Sequence, residues 1–152
     1  MQPTNKITPF LWYNDTLEEA LEFYTAIFKN SEIKSKSHIG GKLFTAIIVI
    51  EGQELMLLNW SSEFKFNPSV SLFVKCDTQD EVNYYWDNLL ADGGKESQCG
   101  WLQDKFGLSW QIVPNILGEL MSNPDREKAG RVMQAMMKMV KLDIAALKKA
   151  AE

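Results

Sequence analysis

Histidine is nearly absent from this chain: His38 is the only one in 152 residues. Most protein metal sites and most acid–base sites lean on imidazole, so both start at a disadvantage. Cysteine is scarce as well. Cys76 and Cys99 make no disulfide framework in a chain of this length. The opening residues, Met1-Gln-Pro-Thr-Asn-Lys6, lack the apolar core of an export signal, so a reducing, cytoplasmic setting is expected. No apolar run exceeds Ala46 to Ile50, which excludes a membrane-spanning helix. Positive charge is not in excess. The net charge of −4 argues against nucleic acid or an anionic membrane as a general partner. The nine glycines include no G-x-G, no G-x-G-x-x-G and no phosphate-cradling loop. The glycine-rich strand–helix turn used by Rossmann-type adenosylmethionine enzymes is therefore not written here.

What remains is ordinary globular material, 45% hydrophobic and 24% charged. The length allows one domain, or two small halves sharing a core. A repeat decides between them. Asp15-Thr-Leu-Glu-Glu-Ala-Leu-Glu-Phe-Tyr-Thr-Ala-Ile-Phe28 lies on Asp77-Thr-Gln-Asp-Glu-Val-Asn-Tyr-Tyr-Trp-Asp-Asn-Leu-Leu90 without a gap. Acids match at Glu18/Asp80 and Glu19/Glu81, aromatics at Phe23/Tyr85 and Tyr24/Trp86. Thr16 with Glu19, and Thr78 with Glu81, have capping-box spacing. Ala20, Phe23, Tyr24, Ile27 and Phe28, like Val82, Tyr85, Trp86, Leu89 and Leu90, recur at helical intervals.

Strand signals flank both helices. Ile7–Tyr13 and Val70–Lys75 precede them. After the first come Glu32–Ile39, Leu43–Ile50 and Glu54–Trp60, separated by the turns Gly40-Gly41 and Glu51-Gly52. After the second come Lys95–Gln103 and Leu108–Val113. Leu117–Met121 reads as a short helical turn. Asn123-Pro124 then opens a helix over 125–140, with Val132, Met133, Met136, Met137 and Val140 on one stripe, and Asp143 caps Ile144–Ala150. The expected organisation is one domain over 1–152: module one at 6–61, module two at 69–114 and a helical tail at 115–152.

Tandem βαβββ modules resemble the glyoxalase/bleomycin-resistance, or vicinal oxygen chelate, superfamily. Phe64-Lys-Phe-Asn67, Gln98-Cys-Gly-Trp-Leu102 and Asp104-x-Phe-Gly-Leu-Ser-Trp-Gln-Ile-Val-Pro114 are similar to its PhnB-like branch. So is the ending from Arg131 through Leu147. Members often carry the label 3-demethylubiquinone 3-methyltransferase. The resemblance spans about residues 6–150. It implies an α+β fold with a curved, mostly antiparallel sheet and C-terminal helices, and often a homodimer.

In such modules helices cover one sheet face, and the concave face holds a small-molecule ligand. Alternation sorts the residues. Leu55 and Leu57, like Trp110 and Ile112, belong under the helices. Glu54, Met56, Leu58 and Trp60 belong to the opposite face, with Thr8, Phe10 and Trp12, and with Ser109, Gln111 and Val113. Thr8, Phe10, Trp12, Met56, Leu58, Trp60, Cys99, Trp101, Ser109 and Gln111 are therefore the candidate pocket. Each of Trp12, Trp60 and Trp110 has a plainer reading as core filler.

Metal-dependent members of the superfamily place histidine and glutamate near Thr8, Met56, Val70 or Ser71, and Gln111. Those residue types are poor ligands for a divalent cation, so no metal and no cofactor are expected. An enzymatic alternative rests on Cys99, a lyase, dioxygenase or methyltransferase nucleophile if a cation lowered its pKa, or else a small residue buried in the sheet. Asp104 reads as a turn residue accepting backbone amides, or as a base. Asn59 reads as a ligand contact or as a cap.

Overall fold

The computed structural model describes residues 5–152. The chain falls into two compact units, the first ending at Phe64 and the second running Lys65–Glu152. Each is built from the same order of elements.

In the first unit β1 (Phe10–Tyr13) leads into α1 (Leu17–Ile27). There follow β2 (Ser31–Ile39), β3 (Lys42–Ile50) and β4 (Gln53–Asn59). The sheet order is β1-β4-β3-β2, with β1 parallel to β4 and the other pairs antiparallel. α1 lies against β2, β3 and β4. Leu11, Tyr13, Leu55, Leu57, Ala46 and Ile48 alternate inward, and Leu17, Ala20, Leu21, Tyr24 and Ile27 are buried along the helix. Burying each leucine or isoleucine among them stabilises the fold by roughly 1.5–3 kcal/mol over exposure. The buried stripe is turned from the expected one. Leu17 and Leu21 are inside and Phe23 is only half-buried. Inside this core the hydroxyls of Tyr13 and Tyr24 bond each other at 2.9 Å, which satisfies both.

One irregularity matters later. β2 and β3 slip register between Ser37 and His38, where β3 carries Phe44 as an extra residue. A bulge of this kind flips the alternation beyond it. Leu43 is accordingly buried and Phe44 is not.

In the second unit β5 (Ser71–Cys76) leads into α2 (Gln79–Leu90). Then come β6 (Lys95–Glu96), β7 (Trp101–Gln103) and β8 (Ser109–Pro114). The order β5-β8-β7-β6 repeats the first sheet, including its single parallel pair, β5 with β8. The strand expected over Lys95–Gln103 is thus two short strands. Cys99 and Gly100 break it by adopting positive φ, +60° and +84°.

The tail folds onto this unit as α3 (Ile116–Met121), α4 (Arg126–Met137) and α5 (Ile144–Ala150). Val113, Leu117, Val132, Leu142 and Leu147 form its core. The amides of Cys99 and Gly100 donate to the carbonyls of Met139 and Val140 at 2.8 Å. A Cβ on Gly100 would stand 3.0 Å from the Ile112 carbonyl and 3.0 Å from Leu142 Cδ1, so glycine is what lets the tail approach.

The helix caps differ from the expected pattern. Thr78 accepts the Glu81 amide at 3.1 Å, and Glu81 in return accepts the Asp77 amide at 2.9 Å. Thr16 makes no side-chain cap bond. α4 begins one residue later than expected. Asp125 caps it through the amides of Glu127 and Lys128, with Pro124 outside the helix. Asp143 caps α5 through Ala146, as the sequence suggests.

Candidate functional site

β1 and β4 each turn one row of side chains toward α1 and one row away from it. The pairs Phe10–Met56 and Trp12–Leu58 stand directly across the strands. Thr8, Phe10, Trp12, Glu54, Met56 and Leu58 therefore share the face that α1 does not cover, and Trp60 continues the row. Thr45, Ile47 and Val49 of β3 extend it, being paired with Leu58, Met56 and Glu54. Phe10 and Trp60 are more than half exposed, at 53% and 55%. Trp12 and Leu58 are half-buried. Within this unit the candidate residues do come together on one surface.

Two aromatics that the sequence reading left out complete the surface. Phe44 stands edge-on to Trp60 with centroids 5.8 Å apart, and Phe64 meets Trp12 in the same manner at 5.3 Å. Phe44 arrives there through the bulge, which strict alternation misses. Phe64 is held by Asn14, whose amide nitrogen donates to the Phe64 carbonyl at 2.9 Å while its oxygen accepts the Ser62 amide at 2.7 Å. The Trp12 indole N–H donates to the Trp60 carbonyl at 2.8 Å, fixing the ring's orientation.

In the second unit the corresponding face is different. Phe73, Gln111 and Trp101 stand abreast, and so do Ser71, Ser109 and Gln103. Gln111 donates to the Ser71 hydroxyl at 3.0 Å. Ser109 is buried, and its hydroxyl has no partner among the described residues. Val113 falls in the same row by alternation, but the tail's apolar core takes it. Cys99 sits apart from this row, on the turn before β7, with its amide tied to the tail.

Several residues resolve to structural work. Trp110 is buried on the helix side, and its indole donates to Asp104 at 2.9 Å. Asp104 also accepts the amides of Phe106 at 2.9 Å and Leu108 at 3.1 Å, so it organises its turn. Asn59 accepts the Leu17 amide at 3.1 Å and donates to the Leu43 carbonyl at 3.0 Å. It caps α1 from the neighbouring strand, the role that Thr16 does not fill. Burial pushes the Cys76 thiol up to about 12, with the Glu81 and Asp77 carboxylates adding to the shift, so this thiol stays protonated at neutral pH.

The register also fixes the positions at which metal-binding relatives would carry ligands. Thr8 bonds Glu54 two residues before Met56, and Ser71 bonds Gln111. Ser71 rather than Val70 is thus the counterpart of Thr8. In the first unit the two donors are a hydroxyl and a thioether, and in the second they are a hydroxyl and a carboxamide whose nitrogen is turned to Ser71. None carries charge, and neither pair fits a divalent cation. His38 is exposed near the end of β2, opposite Leu43.

Two βαβββ units with order 1-4-3-2 and one parallel pair each define the glyoxalase/bleomycin-resistance class of fold. Known proteins agree. The 3-demethylubiquinone-9 3-methyltransferase family profile matches residues 5–113. A PhnB protein from Bacillus cereus, described as a candidate 3-demethylubiquinone-9 3-methyltransferase, is 34% identical, with TM-score 0.67 over 72% of this chain and 99% of that one. The chain belongs to this PhnB-like, 3-demethylubiquinone-9 3-methyltransferase family. More distant structures share the fold alone. A protein from Pseudomonas aeruginosa is 19% identical with TM-score 0.60, covering 73% of this chain and 98% of that one. The fosfomycin resistance protein of Listeria monocytogenes, solved with Mn(II) and sulfate, is 17% identical with TM-score 0.54, covering 72% of this chain and 90% of that one. No match was found among curated proteins. Among the described residues no helix is long and apolar enough to cross a membrane.

Proposed function

We propose that this PhnB-like protein binds an apolar, aromatic small molecule without the help of a metal. The reading is carried by the uncovered face of the first unit, where Phe10, Trp12, Met56, Leu58 and Trp60 are gathered on one side of two paired strands. Exposed apolar side chains gathered in this way mark an interaction surface. Aromatic rings contribute large contact area at low conformational cost. A cytoplasmic setting suits two free cysteines, and a homodimer is the assembly this reading adopts.

The test is a thermal-shift series with planar aromatic compounds. A ligand at 100 times its dissociation constant stabilises the folded state by about 2.7 kcal/mol. That corresponds to a rise of several degrees for a chain of this size. Trp12→Ala should abolish the shift. A series in which no aromatic compound raises the melting temperature defeats the proposal. Elemental analysis tests the metal-free part, which stoichiometric zinc, nickel, manganese or iron in the purified protein would overturn.

A further inference from the structure

Resting on the small-molecule reading above, we infer that the ligand of the first unit carries a positive charge, and that Glu54 selects it. The uncovered face of this sheet is formed by Thr8, Phe10 and Trp12, by Glu54, Met56, Leu58 and Trp60, by Thr45, Ile47 and Val49, and by Glu32, Ser35 and Ser37 of β2, which pair with Val49, Ile47 and Thr45. Its carboxylates are Glu32 and Glu54, one on each side of Val49, and Glu54 is the one on the strand that carries Met56, Leu58 and Trp60. It is half-buried rather than extended into solvent. Its Oε2 accepts the Thr8 hydroxyl at 3.4 Å, and no lysine, arginine or histidine pairs with it among the described residues. Oε1 accepts nothing there. The face thus presents two carboxylates at the edge of an aromatic surface, with Glu54 the nearer to the rings.

Placement gives the Glu54 charge its meaning. Strand rise sets Glu54 roughly 7 Å from the Phe10–Met56 pair and roughly 13 Å from the Trp12–Leu58 pair. A ligand with its aromatic body on Phe10, Met56 and Trp12 therefore brings a short cationic arm to the carboxylate. Beside low-dielectric side chains a charge acts more strongly than in open water. The ring faces of Phe10 and Trp12 also attract cations and disfavour anions. Ammonium and amidinium groups fit both features. A carboxylate or phosphonate at the same place would meet repulsion from both.

Three probes on one skeleton test this: 1-naphthylmethylamine, 1-naphthylmethanol and 1-naphthylacetate, each titrated calorimetrically into the full chain. The amine should bind at least tenfold more tightly than the alcohol, and the acetate more weakly than either. Tenfold corresponds to about 1.4 kcal/mol. Glu54→Gln should erase the advantage of the amine and leave the alcohol unchanged. In the unmutated protein, raising the salt concentration should weaken the amine and spare the alcohol, a reading that does not depend on any variant folding. Equal binding of all three probes overturns the inference and leaves the small-molecule reading standing. Binding of none of them removes both.

Discussion

The two units share a topology and differ in how they complete it. In the first, β2 and β3 have nine residues each, and α1 packs on a sheet wide enough to bury it. In the second, β6 has two residues and β7 three. Those outer strands are shorter, and the chain adds a tail whose Leu117, Val132, Leu142 and Leu147 gather around Val113. Backbone amides at Cys99 and Gly100, which a longer strand would have paired, bond to the tail instead. The helix-facing rows remain alike, with Leu11, Leu57 and Ile48 in one unit and Leu102, Trp110 and Ile112 in the other. The opposite rows have diverged into an aromatic surface edged by the carboxylates of Glu54 and Glu32, and a row in which Phe73 and Trp101 flank Gln111 beside the hydroxyls of Ser71 and Ser109. Packing constrains the first kind of row, and function is free to use the second.

The strongest way to break this comparison is to weaken the tail. Leu142 is fully buried, so Leu142→Ala should cost about 2–5 kcal/mol. Hydrogen exchange should quicken first at Gly100 and Ile112, with Leu57 and Ile48 keeping their protection. Equal loss in both units would show that the tail does not serve the second unit in particular.

A smaller contrast lies in the caps. Asn59→Ala leaves the Leu17 amide and the Leu43 carbonyl without their partner in buried surroundings, for a loss of about 1–3 kcal/mol. Thr78→Ala removes one exposed cap bond and should cost nearer 1 kcal/mol. Urea denaturation of the two variants compares them directly, and equal losses would erase the distinction.

Alkaline pH separates the units in another way. The Cys76 thiol is raised from 9.0 to about 12, so the folded state holds this proton more tightly than the unfolded chain. Its contribution is complete below pH 9 and drains away as pH rises towards 12. Stability measured from pH 8 to 11 should therefore fall, and Cys76→Ala should flatten that slope whatever it does to stability at pH 8. An unchanged slope would assign the fall to other groups.

The repeat made much of this legible. Fourteen aligned positions, with hairpin turns at fixed places, were enough for the βαβββ order and for the faces of β1, β4 and β8. Alternation also brought Thr8, Phe10, Trp12, Met56, Leu58 and Trp60 together in advance. It failed where the backbone leaves regular geometry. Phe44 reaches the aromatic surface through a register slip, and Phe64 through a loop held by Asn14. Asn59 caps a helix 42 positions earlier in the chain, a contact that local capping patterns do not encode. Cys99 and Gly100 break a strand because the tail takes their amides, and that is tertiary context.

The least costly substitutions test which side of α4 is seated on the second unit. Helical spacing put Val132, Met133, Met136, Met137 and Val140 on a single stripe. In the structure Val132 is fully buried and Met136 packs on the tail core, whereas Met133 and Met137 are 45% and 60% exposed. A twelve-residue helix crossing a small patch buries a narrower arc than its apolar content would allow. Met133→Ser and Met137→Ser should therefore change stability by less than about 0.5 kcal/mol each, the usual range for surface positions. Val132→Ala, one residue away, should cost several times more. A loss at Met133 or Met137 as large as that at Val132 would mean that the exposed side of α4 is covered in solution, and the seating of the tail would need redrawing.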